Sequence, residues 1–454
     1  MKRLIFLMIC FTFVFSGCKQ SVKKENCPKL EVSANKRYLT AGGEPFFWLG
    51  DTGWLMLSKL SKWDAENYLQ NRKEKGFNVI QVMVLHTLSE VNLQGDSALI
   101  GQNAATPNLE LSKDKTGYWE NLDFVIDLAS DKGIYMALVP IWGSNVKSGK
   151  LTSKQAEIYA GFLAKRYKDK SNVVWLNGGD VRGSDSIQVW QTIGTTIKKF
   201  APDQLMTFHP FGRTQSSKWF HQEPWLDFNM FQSGHRRYDQ DTARTETRYG
   251  EDNWRYVAAD YHLSPVKPTL DGEPSYEGIP QGLHDTLQPR WIDSDVRRYA
   301  YWSVFSGTCG FTYGHNSVMQ FYTSGPDAGD YGARQPWTDA INSPGATQMQ
   351  HLKNLMLRYR FHELVPIPGQ GEKYDYQPAL KGKKCLLVYT YNGRDIQINP
   401  ELITGNSFEM SWYSPRNGEL IGKGKVLSGE TTVFDAPGTV ENGNDWVMIL
   451  EQSN

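Results

Sequence analysis

Asp64-Ala-Glu-Asn-Tyr-Leu-Gln-Asn-Arg-Lys-Glu-Lys-Gly76 runs without a break into Phe77-Asn-Val-Ile-Gln-Val-Met-Val-Leu85. The first stretch is rich in helix formers and stops at a glycine. The second is a continuous apolar run, as expected of a parallel strand covered on both faces. The same unit recurs downstream. Residues 118–133 place Leu122, Val125, Ile126 and Ala129 at i, i+3, i+4 and i+7, stop at Gly133, and lead into Ile134-Tyr-Met-Ala-Leu-Val-Pro140. Residues 153–170 open on Ser153, read as an N-cap, and lead into Val173-Val-Trp-Leu176.

Working outward, Phe46-Phe-Trp-Leu-Gly50 precedes these units. Leu205-Met-Thr-Phe208, Asp227-Phe-Asn-Met-Phe231, Pro268-Thr-Leu-Asp271 and Gly310-Phe-Thr-Tyr313 follow them, interleaved with weaker helical patterns at 186–200, 253–262, 293–306 and 346–361. Eight β/α alternations predict an α/β fold, a (β/α)8 TIM barrel over residues 30–364, rather than an open sheet. No glycine-rich dinucleotide or phosphate loop follows any of the strands, which counts against nucleotide binding. Residues 30–45, with Glu44-Pro45, predict a hairpin over the barrel floor. Pro366-Ile-Pro-Gly369 breaks the pattern. Beyond it, Cys385-Leu-Leu-Val-Tyr-Thr-Tyr391, Ser407-Phe-Glu-Met-Ser-Trp-Tyr413, Thr431-Thr-Val-Phe434 and Trp446-Val-Met-Ile-Leu450 are separated by Asn-Gly turns at Asn392, Asn417 and Asn442. These predict a C-terminal antiparallel β-sandwich over residues 365–454.

The chain of 454 residues starts Met1-Lys-Arg, continues through an apolar stretch from Leu4 to Phe15, and reaches Phe15-Ser-Gly-Cys18. This reads as a lipoprotein signal over residues 1–18, with Cys18 lipidated and residues 19–29 as a tether; the alternative is an ordinary cleaved signal peptide. Both make the protein exported, at the cell surface or in the periplasm, and in the first the membrane is met only through the lipid. Charge is balanced at 49 basic against 49 acidic residues with no basic run, so nucleic acid is not an expected partner. Aromatic residues make up 13%, including 15 Trp and 22 Tyr, either filling a large core or lining a cleft that stacks sugar rings. Cys27, Cys309 and Cys385 define neither a disulfide framework nor a zinc site, and no cofactor is expected.

Two acids stand just after apolar runs. Asp180 ends Asn172-Val-Val-Trp-Leu-Asn-Gly-Gly-Asp180, after the fourth strand, and Glu273 lies in Asp271-Gly-Glu-Pro274, after the seventh. Barrel enzymes carry their reacting groups at these ends, and two carboxyls flanking one bond are the equipment of glycoside hydrolysis. Gly178, Gly179 and Gly272 are expected to turn the backbone sharply and leave the carboxyls approachable. The alternative is a helix cap for Asp180 and a salt bridge for Glu273. Around them, Asp51, Trp54, His86, Trp142, His209, His235 and His315 fall at predicted strand ends. The histidines lack zinc-motif spacing and are read as hydroxyl or carboxylate contacts in the cleft, or as satisfied core residues. Asp51 is read as a hydroxyl ligand or a helix cap. Arg182, Arg213, Arg236 and Arg237 would suit an anionic sugar, or be solvated loop charge.

Gly50-Asp-Thr-Gly-Trp54, Gly76-Phe-Asn-Val-Ile-Gln81, Asn177-Gly-Gly-Asp180 and Asp271-Gly-Glu-Pro274 together resemble glycoside hydrolase family 140, the apiosidases of gut Bacteroidetes that act on the pectin rhamnogalacturonan II. The resemblance covers about residues 30–365. It implies a carbohydrate substrate, cleavage between apiose and galacturonate, Asp180 as acid/base and Glu273 as nucleophile. The wider clan of retaining barrel glycosidases usually has Asn-Glu where this chain has Gly179-Asp180. The tail around Trp412-Tyr-Ser-Pro-Arg-Asn-Gly-Glu419 is similar to a small β-domain commonly labelled collagen-binding. The rival readings are a surface-tethered lipoprotein that binds glycan without cleaving it, and an endo-acting hydrolase or a furanosidase for another plant sugar on the same scaffold.

Overall fold

The computed structural model describes residues 27–112, 116–242, 248–325, 329–398, 407–427 and 432–453. The signal segment, Cys18 and residues 19–26 of the expected tether lie outside the described residues. All eight expected strands are present: β1 (Trp48–Thr52), β2 (Val79–Met83), β3 (Tyr135–Val139), β4 (Val173–Val181), β5 (Met206–Pro210), β6 (Asn229–Gln232), β7 (Thr269–Asp271) and β8 (Gly310–Thr312). They pair in parallel from β5 back through β1 and on through β8, β7 and β6, with a two-residue strand, Thr214–Gln215, antiparallel to β6.

The nearly closed cylinder is fastened at the seam between β5 and β6 without a ladder. There Asp227 N–H donates to the Met206 carbonyl at 2.8 Å, Met206 N–H to the Asp227 carboxylate at 2.7 Å, and the Thr207 hydroxyl to the Phe228 carbonyl at 2.6 Å. Successive strand residues alternate faces. In β3, Met136 and Leu138 pack against the helices, whereas Ala137 and Val139 belong to the interior. In β2, Gln81 points inward and donates to the Gly272 carbonyl at 2.7 Å, tying β2 to the loop after β7 across the barrel.

Three local expectations change. The helix Ser153–Tyr167 is capped by Thr152, not Ser153: the Thr152 hydroxyl accepts from Gln155 N–H while the Gln155 side chain reaches back, a reciprocal box that Ser153 lacks the position to make. The floor hairpin gains a third strand, giving an antiparallel sheet of Leu30–Val32, Leu39–Ala41 and Glu44–Phe46. Cys27 is buried under it, and its carbonyl accepts from the Ser171 hydroxyl at 2.6 Å, so residues 27–29, expected in the tether, are fastened to the floor.

The chain after residue 364 forms a six-stranded antiparallel sheet, faced by a two-stranded ribbon of Ile396–Ile398 and Thr432–Phe434. Val365–Gln370, the segment expected to break the pattern, is an edge strand of that sheet, where proline's missing N–H costs nothing. The sheet is buried on both faces. Leu386 and Val388 belong to the domain's own core, and Leu387 and Tyr389 to the core shared with the barrel. Tyr389 stacks on Tyr301 at 4.7 Å, and Tyr376 on Trp254 at 4.2 Å. At the centre of this junction Arg297 of helix Asp293–Phe305 donates to both oxygens of Asp445 at 2.8 and 3.0 Å, and Arg416 adds a third contact at 3.1 Å.

Asp445 is fully buried, so Asp445→Ala leaves Arg297 underpaired in the interior. Denaturant unfolding is expected to show a loss of about 3–5 kcal/mol. A loss below about 1 kcal/mol, the scale of an exposed pair, would show that the domains are held by the aromatic contacts alone.

Candidate active site

Strand β4 carries a distortion where it reaches the barrel mouth. Its pairing with β5 holds to Gly178, opposite His209, then slips before resuming at Val181 opposite Pro210. Within this bulge Gly178, Gly179 and Asp180 have φ of +92°, +111° and +53°. Two glycines adopt such angles freely; an aspartate does so at a cost, and bulges of this kind re-aim a side chain. A Cβ on Gly179 would lie 2.6 Å from the Trp142 ring and 3.0 Å from Gly143 N, so this position is restricted by space as well as by torsion. Gly272 is different. Its backbone does not need glycine's freedom, but a Cβ there would collide with Met230. Close packing, rather than the expected sharp turn, is its role.

The bulge delivers Asp180 to a cleft of about 270 Å³ at the barrel mouth, and Glu273 lines the same cleft. Every strand contributes to its wall: Trp54 after β1, His86 after β2, Trp142 after β3, Arg213 after β5, His235 and Arg236 after β6, and Tyr331 after β8.

Glu273 is gripped by two imidazoles. His235 Nε2 lies 3.2 Å from Oε1, and His209 Nε2 lies 3.0 Å from Oε2. Each ring's other nitrogen accepts a backbone N–H: Tyr276 N–H meets His235 Nδ1 at 3.4 Å, and Asp180 N–H meets His209 Nδ1 at 3.3 Å. With Nδ1 accepting, the ring hydrogen that faces Glu273 is the one on Nε2. The His209 contact is out of line, which leaves Oε2 without a well-aligned donor among the described residues. Burial works to raise the Glu273 pKa, but the two imidazole N–H groups overcome it and hold the carboxyl below its ordinary range. Asp180 moves the other way. Burial first, and the negative charge of Glu273 second, push it up to about 6, against a smaller opposing effect of His209. Glu273 thus loses its proton first and Asp180 holds its own to higher pH, with the His209 ring touching both.

Trp54 and Trp142 flank His209 at 5.4 and 5.7 Å between ring centres, forming an aromatic wall. On the β5–β6 side Arg213 donates to Asp241 at 2.9 Å, while Arg248 stands 4.0 Å from the same carboxylate. Burial lowers the Arg213 pKa to about 10, and the neighbouring Arg248 and Arg236 add to that against Asp241. Two guanidiniums therefore meet the Asp241 carboxylate at this edge, and Arg236 stands beside them, donating to the Gln240 carbonyl at 3.4 Å. Arg237 is turned away into a pairing with Asp239 at 2.9 Å.

Three expected cleft residues are elsewhere. Asp51 is 0% exposed, accepts from Tyr68 at 2.7 Å and stands 3.4 Å from Arg72, so it ties β1 to the following helix, neither binding a sugar nor capping that helix. Its place in β1 puts its side chain on the outer face. His315 caps the short helix after β8, its Nδ1 accepting from Ser317 N–H at 3.0 Å, and burial lowers its pKa to about 3. Arg182 lies outside the lining and covers Phe211 at 4.6 Å, so it supports the wall from behind. His209 is buried beneath the cleft and reaches it through Glu273. Gln232, Phe211, His284, Gln320 and Tyr331 line the cleft unforeseen. Most sit in long loops whose sequences have no periodicity to place them. Gln232, a polar residue ending an apolar strand, is the exception that carried a signal. Among the described residues, no group of three or more His, Cys, Asp or Glu is placed to hold a metal ion.

Gly179→Ala adds both the steric and the torsional cost, and is expected to destabilise the fold by about 1–3 kcal/mol in thermal or denaturant unfolding. Unchanged stability would mean that the bulge relaxes without strain.

Residues 33–363 match the family model described as "Apiosidase-like, catalytic domain", and residues 365–451 that described as "Putative collagen-binding domain of a collagenase". A solved glycoside hydrolase is 45% identical, with a TM-score of 0.89 over 94% of this chain and 97% of its own. A structure described as a glycoside hydrolase family 5 protein from Bacteroides vulgatus ATCC 8482 is 44% identical, with a TM-score of 0.89 over 93% of each chain. An endo-1,4-beta-D-mannanase from Thermotoga petrophila RKU-1, 15% identical with a TM-score of 0.52 over 68% of this chain and 100% of its own, shares the fold. A search of curated proteins finds no match. The bulged aspartate, the gripped glutamate and their cleft thus sit in a chain that belongs to the apiosidase-like glycoside hydrolases and acts on carbohydrate.

Proposed function

We propose that the protein hydrolyses apiose–galacturonate linkages of rhamnogalacturonan II, as an apiosidase of glycoside hydrolase family 140, with Asp180 as acid/base and Glu273 as nucleophile. The observation that carries the mechanism is the placing of both carboxyls in one cleft, with two imidazoles on Glu273 and the Asp180 N–H on one of them; the opposed tuning of the two acids fits it. Asp180 gives its proton to the departing glycosidic oxygen while Glu273 attacks the anomeric carbon, forming a glycosyl ester. Water then attacks that carbon, Asp180 takes the water's proton, and Glu273 leaves as carboxylate. Pushing two acids apart in pKa is how one site supplies both forms at one pH. Glu273 Oε2, the oxygen with the poorer donor, is the one free to attack. The substrate reading is supported by Arg213 and Arg236 at the cleft edge, whose guanidiniums suit a uronate beside the scissile bond. The cavity lies near the low end of the roughly 300–1,000 Å³ range of small-molecule sites, which suits a terminal sugar rather than a long chain.

We also propose that Cys18 is lipidated and tethers the protein to a membrane. The reading is supported by Cys27, which is fastened at the barrel floor, away from the cleft at the mouth. Cys18→Ser is expected to move the protein from the membrane fraction to the soluble one; retention at the membrane would contradict the anchor.

Asp180→Asn and Glu273→Gln are each expected to lower kcat/KM by about 10²- to 10⁴-fold while leaving the unfolding midpoint unchanged. In the parent, activity falls as pH rises through the elevated Asp180 pKa, near 6, because the acid loses its proton. It falls at low pH only below the ordinary carboxylate range, because Glu273 is depressed. His235→Ala removes one donor to Glu273, raises its pKa and moves the acid limb to higher pH. Incubation with rhamnogalacturonan II fragments, read by mass spectrometry, is expected to release a free pentose. Release from another furanoside alone would contradict the substrate and keep the mechanism.

A further inference from the structure

Tyr331 occupies the turn Asp330–Gly332 with φ of +53°, a torsion that a tyrosine holds only when its surroundings impose it. Here three side chains do so by binding the turn's backbone. Asn316 donates to the Tyr331 carbonyl at 3.1 Å. Gln320 accepts from Asp330 N–H at 2.7 Å and donates to the Asp330 carbonyl at 3.0 Å. Arg290 donates to the Gly332 carbonyl at 2.7 Å. Asn316 and Gln320 are themselves buried, and Arg290 comes from the loop after β7, so the turn is held from two sides. The ring is thereby turned into the cleft beside His284, at 5.9 Å between centres. The phenol makes no hydrogen bond with any described residue, although it lies within the field of both Asp180 and Glu273, whose charges add to burial in raising its pKa.

A backbone strained and tied in place to turn an unoccupied donor into the cleft that Asp180 and Glu273 also line has no use in folding that this arrangement reveals. We infer that Tyr331 contacts substrate in the reaction centre, its phenol O–H donating to a hydroxyl or ring oxygen of the sugar held between Asp180 and Glu273. The inference rests on the proposed roles of those two acids, and on no particular sugar.

The test is Tyr331→Phe, which keeps the ring and removes the donor, beside Asn316→Ala, which keeps the phenol and loosens the turn. With the parent's rhamnogalacturonan II fragments as probe, Tyr331→Phe is expected to lower kcat/KM by about 10²-fold, mostly in kcat, at an unchanged unfolding temperature. Asn316→Ala is expected to lose activity with a lowered unfolding temperature. Independently of that substrate, free apiose, arabinose and galacturonate are titrated into parent and Tyr331→Phe by calorimetry, and the variant is expected to bind the sugar that the parent binds best about 5- to 10-fold more weakly, the worth of one neutral hydrogen bond. Equal affinity overturns the sugar contact, whether or not the fragments are cleaved. Unchanged turnover of the fragments overturns it likewise. If the parent leaves the fragments intact, the substrate proposal fails alone and the sugar-binding measurement decides this one.

Discussion

A carboxylate can stay charged at the base of a barrel mouth only if something replaces the water it has lost. At Glu273 that replacement is a pair of imidazole N–H groups, one facing each oxygen. The rest of the site follows from this arrangement. Each ring must present Nε2–H, so each Nδ1 must be an acceptor, and in both cases a backbone N–H donates the hydrogen bond to it. For His209 that N–H belongs to Asp180, which can offer it only because the Gly178-Gly179 bulge rotates the backbone of β4. The strained turn that aims one acid therefore also fixes the tautomer that tunes the other. The negative charge so stabilised then acts on Asp180 and helps keep it protonated.

The C-terminal domain is built into the same scaffold. Its sheet buries one face against the helices Asp293–Phe305 and Pro344–Arg358, and Tyr374 donates to Glu251 at 2.8 Å, a residue that also accepts from Tyr238 N–H at 3.2 Å. Tyr238 belongs to the long loop after β6 that carries His235, Arg236 and Asp241. Through Glu251 the domain thus holds the loop that forms one wall of the cleft, which is a physical reason for a small β-domain to remain fused to the barrel.

Strands and acids were legible in the sequence for a simple reason. A strand covered on both faces must be a short, nearly unbroken apolar run, and a residue just after it has only the barrel mouth to occupy; Glu273, Trp54, Trp142 and His235 follow that rule, and Asp180, inside β4 one residue from its end, reaches the mouth because the bulge turns it there. Asp51 breaks it because it lies within β1, one residue from the end, where alternation turns it outward to Arg72. His315 breaks it because a helix starts immediately after it and takes its side chain as a cap. Tyr331 and Gln320 were invisible because loop residues are placed by long-range hydrogen bonds, which leave no periodic trace. The edge strand Val365–Gln370 was hidden by its own prolines, which suit an edge and would forbid an interior strand.

The account stands on the order in which two carboxyls lose their protons, and a pH titration of carboxyl-13C-labelled protein measures that order directly. Glu273, identified by its loss in Glu273→Gln, is expected to remain ionised to a pH well below that of an ordinary glutamate, while Asp180, identified through Asp180→Asn, keeps its proton up to about 6. A reversed order, or two carboxyls titrating together in the ordinary range, would contradict the division of roles and the imidazole grip from which it follows.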